Sequence, residues 1–174
     1  AVHGRTRADF FAGEAEYEAE FDAWEKKSKS AAPGDGETKD DPKDPPTAPD
    51  RNLELDTLMG VLDGKILVQH HCYRADEMAQ VIDLSKEFGY KVAAFHHAVE
   101  SYKIADKLAE YGVCSSMWAD WYGFKMEAYD GIRENIPLVH NAGACAIVHS
   151  DSEVGIQRLN QEAAKAWSDG RRIG

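Results

Sequence analysis

Short apolar segments alternate with amphipathic segments along the chain from about residue 51 to its end. Four apolar segments of six to eight residues lie at positions 65–71, 91–97, 113–118 and 144–151. Continuous apolar runs of this length are typical of strands that are buried on both faces of a parallel sheet. Between and after them, apolar residues recur at helical spacing, which predicts helices over 52–62, 75–88, 101–111, 125–135 and 156–167.

This alternation predicts an α/β fold in which a strand–helix unit is repeated four times. The units follow one another at the spacing of a TIM barrel, a (β/α)8 fold that typically needs about 250 residues. Four units are half of such a barrel. We therefore expect residues 51–174 to form a half barrel whose two sheet edges are exposed.

The first 50 residues have a different character. Residues 8–29 carry aromatic side chains at roughly helical spacing, which predicts one amphipathic helix. Residues 31–50 are rich in proline, glycine, aspartate and lysine and have few apolar side chains, so we expect a loop or a disordered segment. The sequence thus predicts a boundary between residues 1–50 and 51–174.

Composition and charge narrow the classes of partner. The chain has 174 residues, is 43% hydrophobic and carries a net charge of −11, which argues against a nucleic-acid partner. No apolar stretch approaches the roughly 20 residues that span a bilayer, so no membrane association is expected. The first residues contain no signal-peptide apolar region. A cytoplasmic compartment is the expectation, although a fragment would lose such a signal.

The three cysteines carry no recognisable pattern. Cys72, Cys114 and Cys145 lack the spacing of a zinc knuckle or of a disulfide framework. Each lies in or beside an apolar segment. We expect each to be a small buried apolar side chain.

Histidine and aspartate follow three of the four predicted strands: His70-His71, His96-His97 and His149-Ser150-Asp151. In parallel α/β folds the carboxyl ends of the strands form the active-site face. Imidazole and carboxylate groups gathered there suggest a site for zinc or a related divalent metal. Side chains alternate along a strand, so at most one histidine of each pair should face the barrel axis, and spacing alone does not choose which.

Several segments resemble amidohydrolases related to imidazolonepropionase. The segment His71-Cys72-Tyr73-Arg74-Ala75-Asp76-Glu77-Met78 is similar to the family motif after strand 5, and His97-Ala98-Val99-Glu100-Ser101-Tyr102-Lys103-Ile104-Ala105-Asp106 to the motif after strand 6. His149-Ser150-Asp151 resembles the end of strand 8, and residues 157–166 the stretch beyond it. The resemblance covers about residues 52–172.

This resemblance implies a metal-dependent hydrolase site. His71, His97 and Asp151 would be metal ligands for one or two divalent ions, with zinc the expected metal. Asp151 would also take a proton from the attacking water and return it to the leaving amine. The family's strand-1 H-x-H and its strand-4 lysine or glutamate are absent, so the chain resembles strands 5 to 8 only.

Other residues lie on the loops that face the predicted site. Tyr73, Arg74 and Trp121 are candidate substrate-binding residues, and the aromatic segment 118–125 a candidate pocket wall. For Arg74 the alternative is an ion pair with Asp76 or Glu100. Glu100 could orient His97. His70 and His96 are expected to pack against helices, and the place of His149 stays open.

The sequence leaves three functions open. The first is hydrolysis of a C–N bond in a small cyclic amide or a dipeptide-like amide. The second is deamination, for which Glu77 or Glu100 would have to supply the catalytic carboxylate. The third is an inactive truncated barrel that acts as a binding module, and the exposed edges make a homo-oligomer possible.

Overall fold

The structure is a computed structural model that describes residues 2–30, 44–50 and 52–174, with side chains from residue 12 onward. The chain divides into two compact units, residues 1–59 and 60–174. Residues 31–43 of the predicted loop lie outside the described residues, and 45–50 have no regular structure. Among the described helices, none combines the length and the apolar character needed to cross a bilayer.

The described elements alternate between helix and strand in the second unit. In the first unit, α1 is Val2–Ser30, and α2 (Leu53–Leu62) reaches the unit boundary. The remaining elements are β1 (Val68–Cys72), α3 (Ala75–Phe88), β2 (Val92–His97), α4 (Ala105–Tyr111), β3 (Cys114–Met117), α5 (Asn135–Asn141), β4 (Ala146–Val148) and α6 (Leu159–Ile173). Single 3₁₀ turns precede α4 and α6 and interrupt the β3–α5 loop.

The four strands form one parallel sheet in the order β1-β2-β3-β4, which confirms the predicted strands and the α/β fold class. Their register aligns the strand ends, because Cys72 pairs with His97, His97 with Met117, and Met117 with Val148. Consequently the loops that follow the strands leave the sheet at one common edge.

The two faces of the sheet have different surroundings. Phe95 and Met117 point to the face that is covered by helices and are fully buried there, together with Met78, Ile82 and Leu108. Because side chains alternate along a strand, the register puts the remaining positions on the opposite face. Those positions are Gln69, His71, Ala94, His96, Cys114, Ser116 and Ile147.

Two predicted helix ends are made by glycines. Gly89 and Gly112 follow α3 and α4 with φ of 73° and 66°, and their N–H groups bond to carbonyls of the last helical turn. This left-handed conformation costs glycine little because it has no Cβ. The helices over 75–88 and 101–111 are therefore confirmed, the latter with a 3₁₀ first turn.

The helix predicted over 125–135 is wrong. That stretch contains only a 3₁₀ turn at Met126–Ala128, and helix α5 begins at Asn135, where the predicted helix ends. Pro137 lies in the first turn of α5. A proline is accommodated there because the first backbone N–H groups of a helix have no partner within it.

β2 ends in a left-handed turn made by two residues that are not glycine. His97 has φ of 71° and Ala98 has φ of 43°. Side chains with a Cβ adopt this conformation at a cost of about 1–3 kcal/mol each, so surrounding contacts must hold it. Here Ala98 N–H donates to the Cys72 carbonyl at 2.9 Å, and the Ala98 carbonyl accepts from the Asn135 side-chain amide at 3.0 Å.

Asn135, in the first turn of α5, links this turn to the segment that contains Tyr102. Its Oδ1 accepts the Tyr102 backbone N–H at 2.9 Å, while its Nδ2 donates to Ala98. The side chain is only 3% exposed, so water cannot replace either bond. Asn135 thus ties the first turn of α5 to the loop that follows β2.

The expectation for the cysteines is wrong for two of them. Cys114, at the start of β3, and Cys145, just before β4, form a disulfide with a Cα–Cα distance of 4.5 Å. They are 31 residues apart in sequence, and only the parallel pairing of β3 and β4 brings them together. Cys72 is a buried free thiol, as expected.

Replacing Asn135 with alanine should destabilise the second unit by about 2 kcal/mol or more, because it leaves a buried carbonyl and a buried N–H without partners. Asn141→Ala, at the exposed other end of α5, should stay within about 0.5 kcal/mol of the unchanged chain. Urea unfolding of both variants measures the difference. Equal stabilities would contradict the role given to Asn135.

Thiol counting under denaturing conditions tests the disulfide. One thiol, Cys72, should react with an alkylating reagent before reduction, and all three cysteines should react after it. Mass spectrometry of the alkylated chain gives the count. Three reactive thiols before reduction, in protein purified without reductant, would refute the Cys114–Cys145 bond.

Candidate metal and substrate site

Four imidazole rings gather where the strands end. His71 is the penultimate residue of β1, His96 and His97 end β2, and His149 follows β4. The centroid of the His71 ring lies 5.5 Å from that of His96 and 4.7 Å from that of His97. The His149 ring lies 5.8 Å from His96 and 5.7 Å from His97. Three strand ends therefore contribute to one cluster.

The closest polar contact in this cluster joins two of the predicted ligands. His71 Nδ1 and His97 Nε2 are 2.7 Å apart. His97 belongs by alternation to the helix-covered face, but its left-handed backbone swings the ring toward His71. His97 is 4% exposed, whereas His71 is exposed to solvent.

Burial favours the uncharged form of two of the imidazoles, His97 and His149. It lowers the pKa of His97 to about 4, an effect strengthened by the neighbouring His71, His149 and His96 and opposed by the charge of Asp151. Burial also lowers the pKa of His149. A neutral imidazole keeps a nitrogen lone pair at pH 7 and is the form that binds metals.

The donor set partly fits a divalent metal. Two nitrogens bound to one tetrahedral zinc ion at about 2.0–2.1 Å lie about 3.3 Å apart, so the 2.7 Å pair would need to separate only slightly. Among the described residues no group of three or more histidine, cysteine, aspartate or glutamate side chains is arranged to hold an ion. The spacing of the His71 and His97 nitrogens is therefore close to that of two zinc ligands, but it is not a complete ligand set.

Asp151 lies in the bend after β4 and is exposed. Its negative charge is near enough to oppose the lowering of the pKa of both His97 and His149. In this bend the Ser150 hydroxyl accepts the Ser152 backbone N–H at 3.2 Å. The carboxylate is thus beside the imidazole cluster but outside the close His71–His97 contact.

Cys72 is next to His71 but is unsuited to metal binding or nucleophilic chemistry. Burial, together with the nearby Glu77 carboxylate, raises the pKa of the thiol to about 11. A thiol acts as a ligand or nucleophile in its thiolate form. Cys72 therefore contributes to the hydrophobic core and not to the chemistry of the site.

Aromatic rings enclose the imidazoles on the side of the β1 and β3 loops. Tyr73 stacks on His97 with ring centroids 4.7 Å apart, and the Lys125 ammonium lies 3.9 Å from the Tyr73 ring centre. Trp118, at 6% exposed, lies 4.8 Å from the His97 ring and stacks on His149 at 5.4 Å. This wall is what desolvates His97.

Trp121 continues this wall toward solvent. Its ring lies 4.8 Å from Trp118 and 5.3 Å from Phe124, and 41% of the residue is exposed. It borders a cavity of about 260 Å³ between the loops that follow β3 and β4. Trp121 is therefore the part of the aromatic segment best placed to meet a ligand.

Arg74 and Glu100 have structural partners. Arg74 forms a two-pronged ion pair with Asp76, at 3.0 and 3.1 Å, on the surface at the start of α3. Glu100 accepts the Ala75 backbone N–H at 3.0 Å and lies 3.3 Å from the Lys103 ammonium. The ion-pair alternative for Arg74 thus has its geometry in the structure. Glu100 acts on the loop after β1 rather than on the His97 ring.

The expectation that His96 packs against helices is wrong, whereas His70 shares a face of the sheet with its register partner Phe95 of β2. His96 lies on the opposite face, where its Nε2 is 2.8 Å from Gln69 Oε1 and its ring stacks on His71. His70 lies beside the buried Phe95. The alternation rule fails to separate the β2 pair because His96 lies on the face of His71 by register, and the left-handed turn brings the His97 ring toward His71 as well.

Asn135 and Trp118 are the residues with a role at the site that the sequence did not single out. Asn135 holds the turn after His97 through partners 33 and 37 residues earlier in the chain, so no local pattern marks it. Trp118 belongs to the aromatic segment noted in the sequence, but its stacking on His149 depends on the pairing of β3 with β4.

Comparisons with known proteins give two relatives, while no family model matches the chain. Amidohydrolase tasK of Hapsidospora irregularis is 31% identical over 124 residues, a match that covers 68% of this chain and 13% of that protein. The crystal structure of an amidohydrolase from Thermotoga maritima MSB8 superposes with a TM-score of 0.63 at 22% identity, over 94% of this chain and 39% of that chain.

The two comparisons differ in what they contribute. The Thermotoga structure shares the fold, and the Hapsidospora protein shares sequence over more than two thirds of this chain. This chain spans less than two fifths of the length of either relative. On the sequence match and the shared fold together, the chain belongs to the amidohydrolase superfamily.

Proposed function

We propose that this chain forms half of a (β/α)8 barrel and supplies one side of a metal-dependent hydrolase site that cleaves an amide C–N bond. The single observation that carries the proposal is the convergence of His71 Nδ1 and His97 Nε2 to 2.7 Å at the carboxyl edge of the sheet. Four parallel strands in sequential order and the fold shared with an amidohydrolase support the half barrel.

In this proposal His71 and His97 hold a divalent ion, with zinc the best match to two imidazole nitrogens. When bound, the ion polarises the scissile carbonyl and makes water more acidic. The protein's own contribution is orientation: the Asn135-supported turn aims the His97 ring, and Tyr73 and Trp118 exclude water from it. One or more further ligands would come from outside the described residues.

Asp151 is proposed as the general base. Its carboxylate takes the proton of the attacking water and later passes it to the amine that leaves. Exposure suits this role because the carboxylate is open to the water that it would deprotonate. Trp121 and Tyr73 are proposed to contact the substrate, a small amide.

The two carboxylates considered for deamination, Glu77 and Glu100, are engaged with other groups of the protein. Glu100 is occupied by the Ala75 N–H and Lys103, and Glu77 lies 3.8 Å from the Cys72 thiol behind β1. Amide hydrolysis with Asp151 as base is therefore the function that the geometry favours.

Zinc binding tests the metal proposal. The chain purified without metal should bind zinc, and a His71→Ala, His97→Ala double variant should bind at least tenfold more weakly because both converging nitrogens are lost. Calorimetric titration gives the affinity and mass spectrometry the metal content. His140→Ala, which removes an exposed histidine of α5, is the matched control and should bind like the unchanged chain.

Two outcomes would count against this proposal. Equal zinc affinity in the double variant would mean that the metal binds elsewhere. Absence of zinc binding in the unchanged chain would mean that the pair is insufficient without the remaining ligands, and the proposal for this chain would fall.

Asp151→Asn should lower zinc-dependent hydrolysis of a panel of small amides by at least about 100-fold, the usual contribution of a general base. The asparagine keeps the size of the side chain but cannot accept the proton. Release of amine measures the rate. A variant as active as the unchanged chain, or an unchanged chain that releases no amine, would contradict Asp151-assisted hydrolysis by this chain.

A further inference from the structure

The last strand of the sheet, β4, is its shortest and least buried strand. It contains only Ala146–Val148, whereas strands in globular proteins most often have about five or six residues. None of its three residues is buried, and Ile147 is 39% exposed. In the described part of the chain β4 pairs with β3 alone. A strand with one neighbour and little buried surface opens at a small cost in free energy.

The neighbouring strand β3 is anchored much more firmly. It lies between β2 and β4 in the sheet. Its residues Ser115, Ser116 and Met117 are at most 5% exposed. If the contact between the two strands weakens, β4 is therefore the strand that moves.

The end of β4 carries part of the candidate site. His149 directly follows the strand, and its backbone N–H donates to the Met117 carbonyl at 3.0 Å. The His149 ring stacks on Trp118, and Asp151 lies two residues further on. The pairing of β4 with β3 thus holds His149 and Asp151 at the cluster, whereas the other imidazoles belong to β1 and β2.

The Cys114–Cys145 disulfide fastens β4 to β3 at the opposite end of the strand. Cys145 immediately precedes β4, and its carbonyl accepts the Ser115 backbone N–H at 2.9 Å. Cys145 is exposed and Cys114 is half-buried. Exposed disulfides are the ones that other thiols reduce readily, and they are often regulatory.

We propose that the Cys114–Cys145 bond is a thiol–disulfide switch for the candidate site. While the bond is intact, β4 stays paired with β3, and His149 and Asp151 stay beside the other imidazoles. The bond limits the conformations that a detached β4 can adopt, so its reduction favours the detached state by entropy. Reduction would then release His149 and Asp151 and leave β1 and β2 in place.

The reductant is a dithiol, and the exchange is balanced in two steps. A thiolate of the dithiol attacks the Cys145 sulfur, the disulfide breaks, and the Cys114 thiolate leaves and takes a proton. The second thiol of the reductant then attacks the mixed disulfide and releases Cys145 as a thiol. The dithiol loses two electrons and two protons and closes to its own disulfide, while the protein gains two thiols.

Amide hydrogen exchange followed by NMR tests the switch on the metal-free full chain, before and after treatment with dithiothreitol. Exchange at the His149 amide should become at least tenfold faster after reduction, because its bond to Met117 opens more often. The Ala98 amide, which bonds to the Cys72 carbonyl between β1 and β2, should exchange as before. Reoxidation should restore the original His149 rate.

Two variants are the controls. Cys72→Ala removes the free thiol and should respond to dithiothreitol like the unchanged chain. Cys114→Ser, Cys145→Ser should show the fast His149 exchange without any reductant. An unchanged His149 rate after reduction would overturn the switch. Equal acceleration at His149 and Ala98 would also overturn it, because the bond would then stabilise the whole unit and not β4.

The effect on hydrolysis rests on the proposed function, because it takes Asp151 as the base. Dithiols bind zinc, so the serine double variant stands for the reduced state in this measurement. It should release amine at least tenfold more slowly than the disulfide-bonded chain and bind zinc equally well. Equal rates of amine release would overturn the switch. Fast His149 exchange after reduction, in a chain that releases no amine in either state, would support the switch and refute only the hydrolase proposal.

Discussion

The parallel register of the four strands is the constraint on which the candidate site depends. Because Cys72, His97, Met117 and Val148 lie level with one another, the segments that follow β1, β2 and β4 start from the same edge. Residues that are far apart in sequence thereby become neighbours. Backbone hydrogen bonding between strands, and not attraction among the imidazoles, brings His71, His97 and His149 together.

The second determinant is a strained turn that is held in place by buried hydrogen bonds. Two successive left-handed residues with a Cβ are unfavourable in isolation, yet they redirect the His97 ring from the helix-covered face to the imidazole cluster. The Cys72 carbonyl and the Asn135 amide offset that strain by binding both polar groups of Ala98. A polar side chain in the first turn of α5 thus determines which way a candidate ligand points.

The aromatic side chains around His97 influence the charge state of that imidazole and also border the neighbouring cavity. Trp118 and Tyr73 remove water from His97, and the loss of hydration keeps that imidazole neutral. Trp118 also borders the neighbouring cavity. One side chain therefore contributes both to the uncharged form of a histidine and to the border of that cavity, so changes to it should not be interpreted through packing alone.

Periodicity and local residue types were sufficient for the strand–helix order and for the strand ends that carry histidines, because both depend on neighbours within one element. The glycines at 89 and 112 marked helix ends for the same reason. Resemblance to known amidohydrolases added the choice of His71, His97 and Asp151 within those ends. Features that depend on distant partners were decided only by the tertiary structure. The Cys114–Cys145 bond requires two strands to pair, and the turn after His97 requires Asn135 to reach Ala98. The sequence by itself determined the local features of this protein, namely the order of its strands and helices and the residues at their ends. Long-range hydrogen bonds determined where the candidate ligands point, because no local pattern encodes a partner more than 25 residues away.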